Sequence, residues 1–219
     1  MSFSLSHGKT LDVGRIGISD QDLPPFDQGP IDLHAWFDAG RVDRSLELEV
    51  GSGKGTFLIQ VASQKPQISY IGLEYAKAYW RYAADRCRRR GLENVRLVRA
   101  EADCFIRNYV CDGCFRQVHI YFPDPWPKKR HHKRRLITVP YLHQLHRTLE
   151  SEGLVRIATD HAEYFDWIGQ QAAAVSQRFE RLPFSRPGSA GEGELAGTNF
   201  ERKYRRDGRP LYGLVLRKI

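Results

Sequence analysis

Apolar residues along this chain fall in short strand-like runs, separated by stretches that repeat at helical spacing. "LELEV" (46–50) is a short strand entering the glycine turn "GSGKG" (51–55), and "TFLIQVAS" (56–63) then carries Phe57, Leu58 and Val61 at helical intervals. "SYIGLE" (69–74) predicts a second strand. "YAKAYWRYAADRCRRR" (75–90) places Ala76, Tyr79, Trp80, Ala83 and Cys87 on one helical face, with Gly91 as its stop. "VRLVRAEA" (95–102) and "QVHIYF" (117–122) predict a third and a fourth strand, and residues 133–149 a helix. "GLVRIATD" (153–160) predicts a fifth strand and "AEYFDWIGQQAAAV" (162–175) a further amphipathic helix. "NFERKYRR" (199–206) and "PLYGLVLRKI" (210–219) flank Asp207-Gly208-Arg209, a hairpin signal. Residues 1–44 are rich in Gly, Pro and Asp and lack periodicity. They predict an irregular N-terminal extension with a short helix around Leu33 to Phe37, ahead of a single domain over 45–219.

Strands alternating with helices predict an α/β fold, a doubly wound and mostly parallel sheet that closes on a C-terminal β-hairpin. In that architecture ligands bind beyond the carboxyl ends of the strands. Those ends read "EVGSGKG", "GLE", "RAEAD", "YFPDPW" and "ATD", and each carries an acidic residue.

Charge adds a second theme. The chain has 219 residues, 34 of them Lys or Arg against 26 Asp or Glu, a net charge of +8. Three basic clusters stand out: Arg86 to Arg90, Lys128 to Arg135, and Arg202 to Arg209. Such clusters suit a polyanionic partner, most simply a nucleic acid. Cys111-Asp-Gly-Cys114 has C-x-x-C spacing, but neither Cys87 nor Cys104 supplies a second ligand pair, so the four cysteines are expected to be thiols with no metal bound. No apolar run approaches the roughly 18 residues needed to cross a bilayer. The N-terminus lacks a basic region followed by an apolar one, so the expectation is a cytoplasmic protein with no membrane association.

The glycine turn excludes two nucleotide motifs. A phosphate-binding P-loop needs Gly at position 48 and Ser or Thr after the lysine, where this chain has Leu48 and Gly55. The dinucleotide fingerprint is G-x-G-x-x-G, and here the spacing is G-x-G-x-G. The shorter form with an acidic residue before it is typical of S-adenosylmethionine binding. Glu74 ends the second strand 21 residues after Gly53, near the spacing at which a carboxylate receives ribose hydroxyls.

"LELEVGSGKG", "IGLE", "FPDPWPKKRHHKRR", "ATD" and "GTNFERK", in this order, resemble the bacterial tRNA (guanine-N7)-methyltransferases over about Leu46 to Lys203. The FPDPWPKKRH block and the T-x-F-E-x-K segment are the specific parts of the likeness, and Glu101 stands where that family's pattern has Asp or Asn. The resemblance implies the fold of a SAM-dependent methyltransferase with tRNA as partner; a monomer or homodimer is the expected state. It implies that Glu49, Gly51, Gly53, Glu74, Glu101 and Asp124 line the cofactor site. It also implies that Lys128, Asp160, Thr198, Asn199, Phe200 and Glu201 engage the substrate, the variable-loop guanine at tRNA position 46. Two other readings stay open on the residues alone: a SAM-dependent methyltransferase of another substrate, and an RNA-binding module without turnover.

The chemistry suits the residues. Guanine N7 carries an in-plane lone pair and no proton, so no general base is needed, and no Ser/His/Asp or Cys/His arrangement is evident in the chain. Catalysis then rests on alignment and electrostatics. Asp124 is the candidate catalytic carboxylate, aimed by a turn that Pro123, Pro125 and Pro127 stiffen, while Lys128 to Arg135 face outward to neutralise phosphates.

Overall fold

The computed structural model describes residues 10–37, 45–187 and 190–219. The expected extension is therefore described only over 10–37, and its other residues lie outside the described ones. The chain forms two compact units, 1–110 and 111–219.

In the first unit four strands run parallel in the order β1-β4-β3-β2: β1 (Gly17–Ile18), β2 (Leu46–Val50), β3 (Ser69–Leu73) and β4 (Val95–Val98). Every residue of β2, β3 and β4 is buried, the signature of parallel strands covered on both faces. Two helices connect them, α1 (Thr56–Gln64) and α2 (Lys77–Arg89), and α3 (Ala102–Tyr109) follows β4. Helix α2 starts at Lys77, so Ala76 is its N-cap, and it buries Trp80, Ala83, Ala84, Asp85 and Cys87. Tyr79, expected on the buried face, is exposed, because it sits about 100° round the helix from Trp80, at the edge of the stripe that Trp80, Ala83, Ala84 and Cys87 define. The Trp80 indole N–H donates to the Leu97 carbonyl in β4 at 2.8 Å, which lets the ring sit in the core. Gly91 takes a left-handed conformation (φ +63°) one residue past the C-cap and ends α2 as expected.

The N-terminal extension is more than irregular chain. Gly17 and Ile18 add β1 beside β4, and the Leu97 amide donates to the Ile16 carbonyl at 2.7 Å. Ile16, Leu33 and Phe37 are buried, and His34–Trp36 forms the short helix expected there, as one 3-10 turn.

The second unit orders its strands β5-β6-β8-β7: β5 (Phe115–Tyr121) and β6 (Leu149–Thr159) are parallel, and β8 (Tyr212–Lys218) is antiparallel to both β6 and β7 (Phe179–Pro183). Between them lie α4 (Val139–Thr148), α5 (Ala162–Ala173) and α6 (Asn199–Arg206). Two local expectations are corrected. Residues 133–149 are not one helix: a 3-10 turn covers Lys129–Arg134, and α4 begins afresh where Thr138 Oγ1 accepts from the Tyr141 amide, with Pro140 in the first turn. "NFERKYRR" is helix α6 rather than a strand, and Asp207-Gly208 ends that helix, so the antiparallel pair at the C-terminus is β7 with β8. Its apolar residues Phe200 and Tyr204 lie four apart, a helical interval.

Gly55 links the glycine turn to packing. It is left-handed (φ +69°), and a Cβ there would stand 2.9 Å from Ala83 Cβ in α2. Gly55→Ala should cost about 1–3 kcal/mol of stability, from strained backbone and overpacking together. Chemical denaturation of the parent and variant measures it.

Candidate functional site

The glycine turn and the three acidic strand ends of the first unit lie together. Leu73, the last residue of β3, accepts from the Gly51 and Ser52 amides, each at 2.9 Å, and so ties the turn to the neighbouring strand. Gly51 is left-handed (φ +79°), and nothing lies within 4 Å of where its Cβ would be, so the turn presents bare backbone to open space. Glu74 accepts from the Gly53 amide through one carboxylate oxygen and from the Ala76 amide through the other, both at 2.8 Å. Each oxygen keeps a second lone pair, so a carboxylate held this firmly can still receive two hydroxyls.

Glu49 is different. It is buried, and its Oε2 has no hydrogen-bond partner. Burial, with the Glu74 carboxylate adding to it, pushes the Glu49 carboxyl well above its ordinary value, and the Ser52 hydroxyl works against the shift. A group with a positive charge is the complement this position lacks. Glu101 is also more occupied than its sequence position suggests: it is the N-cap of α3 and accepts from the Asp103 and Cys104 amides at 3.1 and 2.7 Å. Its longer side chain reaches the orphan amides of the helix start, which an adenine amino group would have to share.

In the second unit the structure gathers Asp124, Asp160 and a residue that sequence reasoning missed, Tyr204. Burial, then the Asp160 carboxylate, push the Tyr204 hydroxyl up, and Asp124 contributes to the same shift. The Tyr204 ring lies 5.6 Å from Phe122 and stacks on Phe200 at 6.0 Å. Arg209, expected only as the end of the third basic cluster, donates to Asp160 at 2.8 Å and sits 4.7 Å over the Tyr204 ring. Helical spacing within "NFERKYRR" was the available signal for Tyr204.

The substrate candidates divide. Phe200 is exposed, as are Lys128 and Asp124. Glu201 is fully buried and points inward, accepting from the Leu195 amide and from the Ala196 and Gly197 amides at 2.8 and 2.7 Å. Thr198 Oγ1 caps the Glu201 amide at 3.0 Å. These two side chains build the loop that precedes α6.

The basic clusters are corrected in the same way. Arg88 and Arg89 pair with the buried Asp85 at 3.2 and 2.9 Å, and Arg86 bonds the Lys54 carbonyl, so much of the first cluster is bound internally. In the second cluster Lys128, Lys129, Arg130, Lys133 and Arg134 are exposed, whereas Arg135 is buried. Trp126 lies under this run, with Arg134 4.9 Å over its ring and His131 edge-on at 5.9 Å.

All four cysteines are free thiols. Among the described residues no cluster of His, Cys, Asp and Glu is arranged to hold a metal, and no helix is long and apolar enough to cross a membrane.

The strand-end carboxylates and glycine turn, on an α/β fold, define a SAM-dependent methyltransferase of the Rossmann-like type. A SAM-dependent methyltransferase from Aquifex aeolicus matches the fold at a TM-score of 0.55 and 13% identity, over 84% of this chain and 90% of that one. The family described as "Putative methyltransferase" matches residues 43–214. The tRNA (guanine-N(7)-)-methyltransferase of Streptococcus thermophilus is 33% identical over 78% of this chain and 79% of its own length. That of Rhodopirellula baltica is 32% identical over 90% of this chain and 76% of its own. The chain belongs to the family of tRNA (guanine-N7)-methyltransferases.

Glu49 gives a pH prediction whose sign is fixed. Its carboxyl is raised in the folded protein, so below the ordinary glutamate value of 4.5 it is protonated in both folded and unfolded states and contributes no pH dependence. As pH rises above that value, ionisation favours the unfolded chain. Without cofactor, Glu49→Gln should therefore melt increasingly above the parent as pH rises from about 4.5 towards 7, and the gap should close at lower pH. Paired thermal melts across this range test it, and a gap that does not grow with pH contradicts it.

Proposed function

We propose that this protein transfers a methyl group from S-adenosylmethionine to N7 of the variable-loop guanine at position 46 of tRNA. The observation that carries the reading is the segment around FPDPWPKKRHHKRR. It follows a parallel strand, exposes Asp124 in company with Asp160 and Tyr204, and continues into five exposed cations. The tRNA (guanine-N7) relatives support it.

Five residues of the first unit hold the cofactor in this reading. Glu74 receives the ribose hydroxyls on its remaining lone pairs, and the Gly51 and Gly53 backbone admits the ligand without side-chain obstruction. Glu49 answers positive charge on the methionine portion, a fit supported by its unpartnered buried oxygen. Glu101 takes the adenine amino group beside the amides it already caps. S-adenosylmethionine, when bound, supplies an electrophilic methyl on a sulfonium centre.

Asp124 and Asp160 accept from the guanine N1–H and amino group and favour the positive charge that grows on the base. Since N7 bears no proton, the protein need not remove one. Phe200 and Tyr204 offer ring faces to a base, and Thr198 and Glu201 hold the loop that places them, with Asn199 exposed at the start of α6. Lys128 and its exposed neighbours grip phosphates, a contact that weakens with salt.

Incubation with unmodified tRNA and methyl-labelled cofactor, followed by mapping of the label, tests the assignment. The label should appear at N7 of the variable-loop guanine. Transfer to another base, or RNA binding without transfer, overturns it. Asp124→Asn should lower the single-turnover rate by roughly 10²-fold, the scale for losing one electrostatic stabiliser, with much smaller effect on tRNA affinity. Replacing Lys129, Arg130, Lys133 and Arg134 with alanine should flatten the salt dependence of tRNA binding by about one unit of slope per lost contact and leave cofactor affinity unchanged. Equal slopes would mean that the run is a solvated face only.

A further inference from the structure

The last residue of the basic run does something different from the rest. The Arg135 side chain is fully buried. Its Nη1 donates to Glu163 Oε1 at 3.0 Å and its Nη2 to Glu163 Oε2, while Nε donates to the Pro125 carbonyl at 2.9 Å. The guanidinium lies 5.1 Å from the Tyr164 ring and 5.1 Å from the Trp167 ring. Glu163, Tyr164 and Trp167 all belong to the first half of α5, which begins two residues after Asp160. The same rings are fixed from behind: the Trp167 indole N–H donates to the Ile137 carbonyl at 2.8 Å, and the Tyr164 hydroxyl accepts from the Ile137 amide at 3.4 Å.

On the other side of the guanidinium is a turn with two residues in a backbone conformation that their side chains disfavour. Phe122 and Trp126 both have positive φ, +55° and +45°, a region that large side chains rarely adopt. Backbone of this kind persists only where its surroundings over-determine it. Among the described contacts, the Arg135 bond to the carbonyl of Pro125 ties the turn to a buried side chain next to the residue it must aim, Asp124.

We propose that Arg135 is a positioning residue for methyl transfer, one that fixes the Asp124 turn against the helix following Asp160 and so sets the two carboxylates for the guanine. This rests on the roles assigned to Asp124 and Asp160 above. Lysine could not replace it: the task needs three directed N–H bonds in one plane and a flat face against two rings, which an ammonium lacks. A phosphate-gripping role is closed to a side chain with no exposure.

The test compares Arg135→Lys, Asp124→Asn and the double variant in single-turnover methyl transfer at saturating tRNA and cofactor, with the salt dependence of tRNA binding and the cofactor affinity measured alongside. Arg135→Lys should lower the rate about tenfold or more, the scale on which misplacement by a fraction of an ångström acts, with salt slope and cofactor affinity unchanged. In the Asp124→Asn background the same change should slow the reaction by less than about threefold, because the group it positions has already lost its charge. A full rate with a flatter salt slope would make Arg135 a phosphate contact and overturn the proposal. So would an equal loss in both backgrounds, which would mean that it acts elsewhere. If Asp124→Asn alone leaves the rate unchanged, the reading of Asp124 itself fails, a result distinguishable from either. Should Arg135→Lys not fold, Glu163→Gln, made on a half-exposed partner, decides through the same cycle: a several-fold loss confined to the Asp124 background supports the proposal, and no loss overturns it.

Discussion

A carboxylate placed at the end of a buried parallel strand has to find partners, and what each one finds determines its use here. Glu74 takes two backbone amides and Glu101 two more, so both are fixed in direction while keeping lone pairs for a ligand. Glu201, in helix α6 rather than at a strand end, takes three amides and is consumed by the loop it holds. Asp160 takes a guanidinium that stacks on Tyr204. Glu49 is buried with one oxygen unsatisfied, which costs stability in the free protein and creates a demand for positive charge. In the proposed cofactor site the stability cost and the binding role have one cause, since a cation beside this carboxyl offsets the penalty of ionising it in a buried place.

The basic residues obey a parallel logic. A guanidinium that meets a buried carboxylate or carbonyl becomes part of the framework, as Arg88 and Arg89 do with Asp85 and Arg135 does with Glu163 and Pro125. Those left at the surface between Lys128 and Arg134 remain available for a polyanion. Net charge alone therefore overstates the surface available to RNA, since even within one short run the last cation, Arg135, is buried while the others are exposed.

Much of this was legible in the sequence. The strand "LELEV" and the helix after it carry their own periodicity, and the structure places them where the pattern does. The acidic strand ends and the glycine spacing pointed to the cofactor class before any contact was known. What escaped was tertiary. Nothing local distinguishes Arg135 from Arg134, because its burial depends on Tyr164 and Trp167 some thirty residues away. The Asp-Gly pair after "NFERKYRR" is a hairpin signal, although Phe200 and Tyr204 four apart favour the helix that forms. The inward turn of Glu201 depends on amides of the loop before α6, a conformation that composition does not encode.

Burial raises the Glu49 carboxyl, and in the proposed cofactor site the positive charge of S-adenosylmethionine would draw it towards ionisation. Calorimetry of S-adenosylmethionine binding at about pH 6, in two buffers of different ionisation enthalpy, measures this directly, because an ordinary glutamate is already ionised there. The parent protein should release more protons on binding than Glu49→Gln does, the difference removing any contribution from the cofactor's own amine. Equal proton release by the two proteins, with the cofactor bound in both, would contradict the account.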